Sequence, residues 1–170
     1  MARLCPYAFA RSSVAAFVAV ISLGSVARAD EASQRAFIAK WAGSYNNVGF
    51  LQQPAVRGEL QSLLGAELVH LLQNLNVSGS VDLSGETLSV NGNAPHQGTE
   101  EEAIVCVTIL PLETIVEAAV LSKGAITVYS RKKQYESASV CVKDWITQAN
   151  SGHKDRFVQP ANVQASAPLR

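Results

Sequence analysis

Ala103-Ile104-Val105-Cys106-Val107-Thr108-Ile109-Leu110, halted by Pro111, is the stretch on which the fold turns. It is too short for a typical helix and rich in β-branched residues, so Ile104, Val105, Val107 and Ile109 mark a well-buried strand. Pro111 lacks an N–H and stops it. Downstream, Thr114 to Leu121 and Ala125 to Ser130 form a hairpin about Ser122-Lys123-Gly124. Upstream, Val77, Val81 and Leu83 stand at odd spacing among small polar residues, as on a half-buried strand. Leu88 and Val90 mark another after a Ser84-Gly85 turn.

Helical spacing surrounds this block. Phe37, Ile38 and Trp41 recur along Glu31 to Trp41, and Gly43 to Asn47 breaks the pattern. A second helix starts near Pro54, a favoured first-turn residue, with Val56, Leu60, Leu63 and Leu64 on one face. Gly65 ends or kinks it, and Glu67 to Leu75 resumes with Leu68, Leu71, Leu72 and Leu75. Val140 to Ala149 closes the order with Trp145 and Ile146 inward. Helices, then a run of strands, then a helix imply an α+β domain, with helices packed on an antiparallel sheet of about five strands. That domain occupies residues 30–150, and residues 151–170 read as a loose polar tail.

The first residues read as a leader. Arg3 and Arg11 precede an apolar run from Val14 to Leu23, and Ala27-Arg28-Ala29 is a small-x-small cleavage site. Residues 1–29 are therefore expected to be removed. A retained anchor is the alternative, but the run is shorter than the roughly 20 residues that span a bilayer. Processing removes Arg3, Arg11 and Arg28 from a chain of 14 basic and 14 acidic residues, leaving 11 against 14. A mildly acidic exported domain argues against nucleic acid and is compatible with a basic protein partner. After processing no membrane attachment is expected. Cys106 and Cys141 are then the remaining cysteines. In an oxidising compartment an isolated pair reads as a disulfide rather than a metal site or catalytic thiol; two buried free thiols are the alternative.

Between two strands lies Asn91-Gly92-Asn93-Ala94-Pro95-His96-Gln97-Gly98-Thr99-Glu100-Glu101-Glu102. Its glycines and proline make a shaped turn, and Pro95 limits the directions in which His96 points. An imidazole on such a turn both donates and accepts hydrogen bonds, which suits presentation to a partner. A plain hairpin connection, its histidine capping the backbone, explains the same residues.

Gly92-Asn93-Ala94-Pro95-His96-Gln97-Gly98, followed by Glu101-Glu102-Ala103-Ile104, resembles the loop-and-strand signature of the Ivy family, the inhibitors of vertebrate lysozyme. Leu63-Leu64-Gly65, leading into an amphipathic stretch and a short strand, is similar to that family too. The resemblance spans roughly Trp41 to Trp145, and the Pro-His loop is its specific part. It implies a periplasmic binding protein, often a homodimer, that is not an enzyme and uses no cofactor. It implies further that the loop enters the active-site cleft of a c-type lysozyme, where the histidine engages the catalytic carboxylates. Carried over, Pro95 and His96 match the Pro-His pair. Gly92, Asn93, Ala94, Gln97 and Gly98 shape the loop, with Glu100 and Glu101 beside it. One departure stands out. Where the family commonly places two cysteines that close a small ring, this chain has Asn93 and Gly98. Closing so short a loop contributes roughly 2 kcal/mol of preorganisation, or about 30-fold in affinity. The competing expectation is therefore a binding domain of the same fold acting on another cell-wall-related protein.

Other candidates carry less. The Glu100-Glu101-Glu102 run steers a basic partner or is a solvated strand start. His70, on the apolar stretch from Leu68 to Leu72, reads as a helix-surface or satisfied core residue, and His153 as a tail residue. No metal-ligand spacing links the histidines. Glu113 and Glu117 share a face at even spacing and read as the wet side of a strand. No nucleophile elbow or phosphate loop is present.

Overall fold

The computed structural model describes residues 23–151 and 153–166. The leader assigned to residues 1–29 thus lies mostly outside the described residues.

Helix α1 runs Leu23–Trp41 and ends where Gly43 adopts φ +75°, a left-handed cap open to glycine. The Gly43 N–H then donates to the Val81 carbonyl, and Val81 N–H returns a bond to Ser44, tying the helix end to the sheet. A short helix α2, Asn47–Leu51, starts at the last residue of the stretch that reads as a break; the Asn46 side chain caps it by accepting from Gly49 N–H at 3.0 Å. Helix α3 is Pro54–Leu64, with Pro54 in its first turn as expected. Gly65, at φ +54°, turns the chain through a 3₁₀ segment into α4, Leu68–Gln73.

Among the described residues the seven strands are β1 Val77–Ser78, β2 Asp82–Ser84, β3 Thr87–Asn93, β4 Glu101–Ile109, β5 Thr114–Ser122, β6 Ala125–Tyr129 and β7 Val163–Ala165. Their order is β1-β3-β4-β5-β6-β7, with β2 also paired to β3. All neighbours are antiparallel except β6 and β7. The class is α+β, as the sequence implies. The extra strands have local causes. The expected first strand is split in two at Gly79 to Val81. β7 comes from the segment read as a loose tail: Ile126 N–H donates to Asn162 O, and Gln164 Nε2 to Thr127 Oγ1.

Both faces of the central strands β4 and β5 are covered. On one, Ala103, Val105, Val107, Val116, Ala118 and Val120 pack with Leu88 and Val90 against Phe50, Leu60, Leu64, Leu68 and Leu71 of the helices. On the other, Ile104, Cys106, Ala119, Leu121, Ile126 and Val128 meet Val142, Trp145 and Ile146 of helix α5, Val140–Ala149. This is why residues 103–107 of β4 form an unbroken apolar run: each faces one core or the other. Cys106 and Cys141 are joined by a disulfide that links β4 to α5, as the pair predicts.

Glu117 departs from its expected place. It is buried at 4% exposure, accepting from Ser130 Oγ and from Ser139 N–H, the capping residue of α5. The face that looked wet in sequence is the one α5 covers. Glu113 precedes β5 and is exposed.

Gly92 has a packing reason as well as a place near the loop. A Cβ there would lie 2.5 Å from Val77 O and 2.9 Å from Ser78 Cβ. Gly92→Ala is expected to push β1 off the sheet edge and to cost about 1–3 kcal/mol in a denaturant titration. An unchanged midpoint would mean that β1 gives way freely.

Candidate functional site

The loop of interest joins β3 to β4, two strands paired along their full length from Thr87–Thr108 to Asn93–Glu102. The last rung is Ala94 N–H to Glu101 O at 2.9 Å. Beyond it the chain makes two turns in succession. In the first, Gln97 N–H donates to Ala94 O at 3.1 Å across Pro95 and His96. Pro95 has the fixed φ suited to the first central position, and His96 takes φ +63° at the second, the pattern of a type II turn. In the second, Glu100 N–H donates to Gln97 O at 3.1 Å across Gly98 and Thr99, with Thr99 at φ +77°.

Two non-glycine residues in the left-handed region within four positions are unusual, and Thr99 is β-branched. Each such residue costs about 1–3 kcal/mol unless its surroundings hold it. Thr99 is held by its N–H, which donates to Glu102 Oε1 at 2.8 Å. Residues 95–100 are all exposed, while Ala94 is buried at the root. Asn93 lies across the ring from Gly98: its Nδ2 donates to Ala94 O at 2.8 Å and sits 3.6 Å from where a Cβ of residue 98 would be.

The acidic run divides by orientation. Glu100 points into solvent, and its carbonyl accepts from Lys123 N–H of the neighbouring hairpin turn at 3.1 Å. Glu101 faces the helices. Its Oε1 accepts from Ser122 Oγ at 2.8 Å, while its Oε2 lies 2.8 Å from His70 Nε2 and 3.3 Å from Asn74 Nδ2. Burial alone would push this carboxyl up. The hydrogen bonds from Ser122, His70 and Asn74, with the imidazole charge, outweigh it and hold the group below its usual value. Because the folded pKa is depressed, the ionised carboxylate contributes stability above the ordinary carboxylate pKa of about 4.3. That contribution is lost as pH falls through the folded value. Glu101→Gln should therefore show a shallower loss of thermal stability below about pH 4 than the wild type. Parallel curves would remove the carboxylate from the account.

His70 and Asn74 were invisible as site residues in the sequence, standing 31 and 27 positions before their partner. The sequence reading of His70 as a satisfied residue fits its partners, since its Nδ1 also lies 3.6 Å from Glu67. A second unforeseen feature lies at the β1 edge of the sheet. Tyr45 and Val48, exposed at 81% and 73%, line a groove of mixed polarity with Leu51, Leu72 and Leu75 and the amides of Asn46, Asn47 and Asn76. It reaches Ser78 of β1, which pairs with Gly92.

Among the described residues, no group of three His, Cys, Asp or Glu side chains is placed to hold a metal ion. No described helix is long and apolar enough to cross a membrane. The arrangement offers an imidazole and a pyrrolidine ring at the tip of a well-anchored hairpin. Such a tip suits insertion into another molecule's groove. Residues 55–152 match the family model described as inhibitor of vertebrate lysozyme (Ivy). No curated protein and no solved structure matched the chain.

Proposed function

The chain belongs to the Ivy family, inhibitors of vertebrate lysozyme, and from that premise we propose that it is a periplasmic, non-enzymatic inhibitor that seats its Pro95-His96 turn in the cleft of a c-type lysozyme. The observation that carries the reading is the exposed turn itself. It stands at the end of two paired strands, β4 buried on both faces and β3 buried on the helix-covered face through Leu88 and Val90, so its position is set before any partner arrives. The matched region includes the turn and both strands.

The chemistry fits a glycosidase cleft. Such a cleft holds two carboxylates that flank the scissile bond. An imidazole between them satisfies their hydrogen bonds and occupies the space of a sugar. Pro95 limits the entropy lost on insertion. Glu100, directed outward, adds long-range attraction to a basic enzyme. The leader and the disulfide support export.

Immobilised c-type lysozyme should capture the protein at low salt, and raised salt should slow association more than it speeds dissociation. Failure of capture at both salt levels would remove lysozyme as the partner. The uncrosslinked loop, with Asn93 and Gly98 at its flanks, favours a second reading in that event: the same fold directed at another cell-wall-related protein.

A further inference from the structure

We propose that Glu101 is the positioning residue of the Pro-His turn, clamping the returning leg of the loop to α4 and β5 through His70, Asn74 and Ser122. The proposal rests on the reading of the loop as the inhibitory element.

Glu101 is where the loop's bonds and the scaffold's bonds meet. Its backbone closes the loop: its N–H donates to Gln97 O at 3.0 Å, and its carbonyl accepts from Ala94 N–H at 2.9 Å. Its carboxylate holds the scaffold from three sides, with Ser122 on the adjacent strand and His70 and Asn74 on and just after α4. Asn74 is itself 1% exposed and also donates to Glu102 O and Leu121 O, both at 3.4 Å. Asn74 therefore seats one end of the clamp in the core, while His70 holds the other at the surface. Bonds to an ionised acceptor are stronger than neutral ones.

The surroundings separate this role from direct contact with a partner. The Glu101 side chain is 14% exposed and turned toward the helices, whereas Glu100 is in solvent. The other charged groups around the clamp are engaged or directed elsewhere. Glu67 faces the second nitrogen of His70, Glu102 holds the Thr99 amide, and Lys123 meets Glu100 through its backbone. With no covalent closure of the loop, order in the two strained turns has to come from bonds of this kind. A loop that must be ordered on binding loses affinity in proportion to that cost.

The test pairs Glu101→Ala with a rescue. Asn93→Cys with Gly98→Cys places a bridge across the loop at positions already facing each other, without touching Glu101. Glu101→Ala is expected to weaken lysozyme inhibition about tenfold and to speed amide exchange at Gln97, Glu100 and Glu101. The bridged Glu101→Ala protein is expected to recover both. His70→Gln, which removes one strut, should move both readouts the same way by less, and serves if Glu101→Ala does not fold. Exchange unchanged in both Glu101→Ala and His70→Gln overturns the clamp. So does a bridged variant whose exchange recovers while inhibition stays weak, because Glu101 would then touch the partner itself. Should the unmodified protein not inhibit lysozyme, the reading of the loop fails, while the exchange measurements still decide the clamp.

Discussion

Replacing His96 by Ala is expected to weaken inhibition of a c-type lysozyme by about two orders of magnitude and to leave the fold intact. His96 is exposed at the apex of its turn, so its truncation removes little packing from the free protein. In the cleft the imidazole would be desolvated between carboxylates. Truncating one partner of such a buried, hydrogen-bonded pair costs about 2–5 kcal/mol, and the middle of that range is two orders of magnitude or slightly more. A lysozyme turbidity assay with matched thermal melts reads both halves of the expectation. Equal inhibition by wild type and variant would reject the histidine mechanism. His96→Gly sharpens the point. At φ +63° glycine is at ease where histidine is strained, so this variant should be as stable as the wild type or slightly more so, and still lose inhibition. Stability and activity moving in opposite directions would mark the strain as kept for function.

The second large effect concerns the scaffold. Changing Cys106 and Cys141 together to Ala is expected to destabilise the domain by roughly 4 kcal/mol. The bridge closes a loop of 35 positions, and the chain-entropy relation gives that magnitude. For a domain of this size the melting temperature should fall by about 10 to 20 °C. The bridge matters because α5 lies on the second face of the sheet through Val142, Trp145 and Ile146, and the disulfide fastens its first turn to β4. Melts with and without reductant should reproduce the difference in the wild type. Below its melting point the variant should still inhibit, because the bridge lies on the strand after the loop and not in the loop. A drop under about 1 kcal/mol would show that α5 docks by packing alone.

Much of the scaffold is legible because its signals are local. The Ala103 to Leu110 run, the Ser122-Lys123-Gly124 turn, Pro54 at a helix start and Gly65 at its end all act through their own backbone. The parts that escaped depend on distant residues. β7 exists because a segment beyond α5 returns to pair with β6, and three residues, Val163-Gln164-Ala165, are too few to carry a period that announces it. Glu117 looked solvated because alternation shows which residues share a face, not what covers that face. The site divides in the same way. The Pro-His turn can be seen in sequence, since proline and glycine chemistry shapes it. The clamp beneath it cannot, because His70, Asn74, Glu101 and Ser122 come together only when α4 and the β4–β5 pair are in place. Glu101 and Glu102 read as equals in the sequence, and the pleat sends one toward the helices and the other to the opposite face.

The claim beneath all of this is that the turn occupies the saccharide-binding cleft of its partner. Competition measures that directly: titrate the protein onto a c-type lysozyme at increasing concentrations of a short saccharide bound in the cleft. The account predicts an apparent dissociation constant that rises in proportion to saccharide occupancy, with His96→Ala too weak to follow. Binding that is indifferent to a saturated cleft would place the contact elsewhere on the enzyme and contradict it.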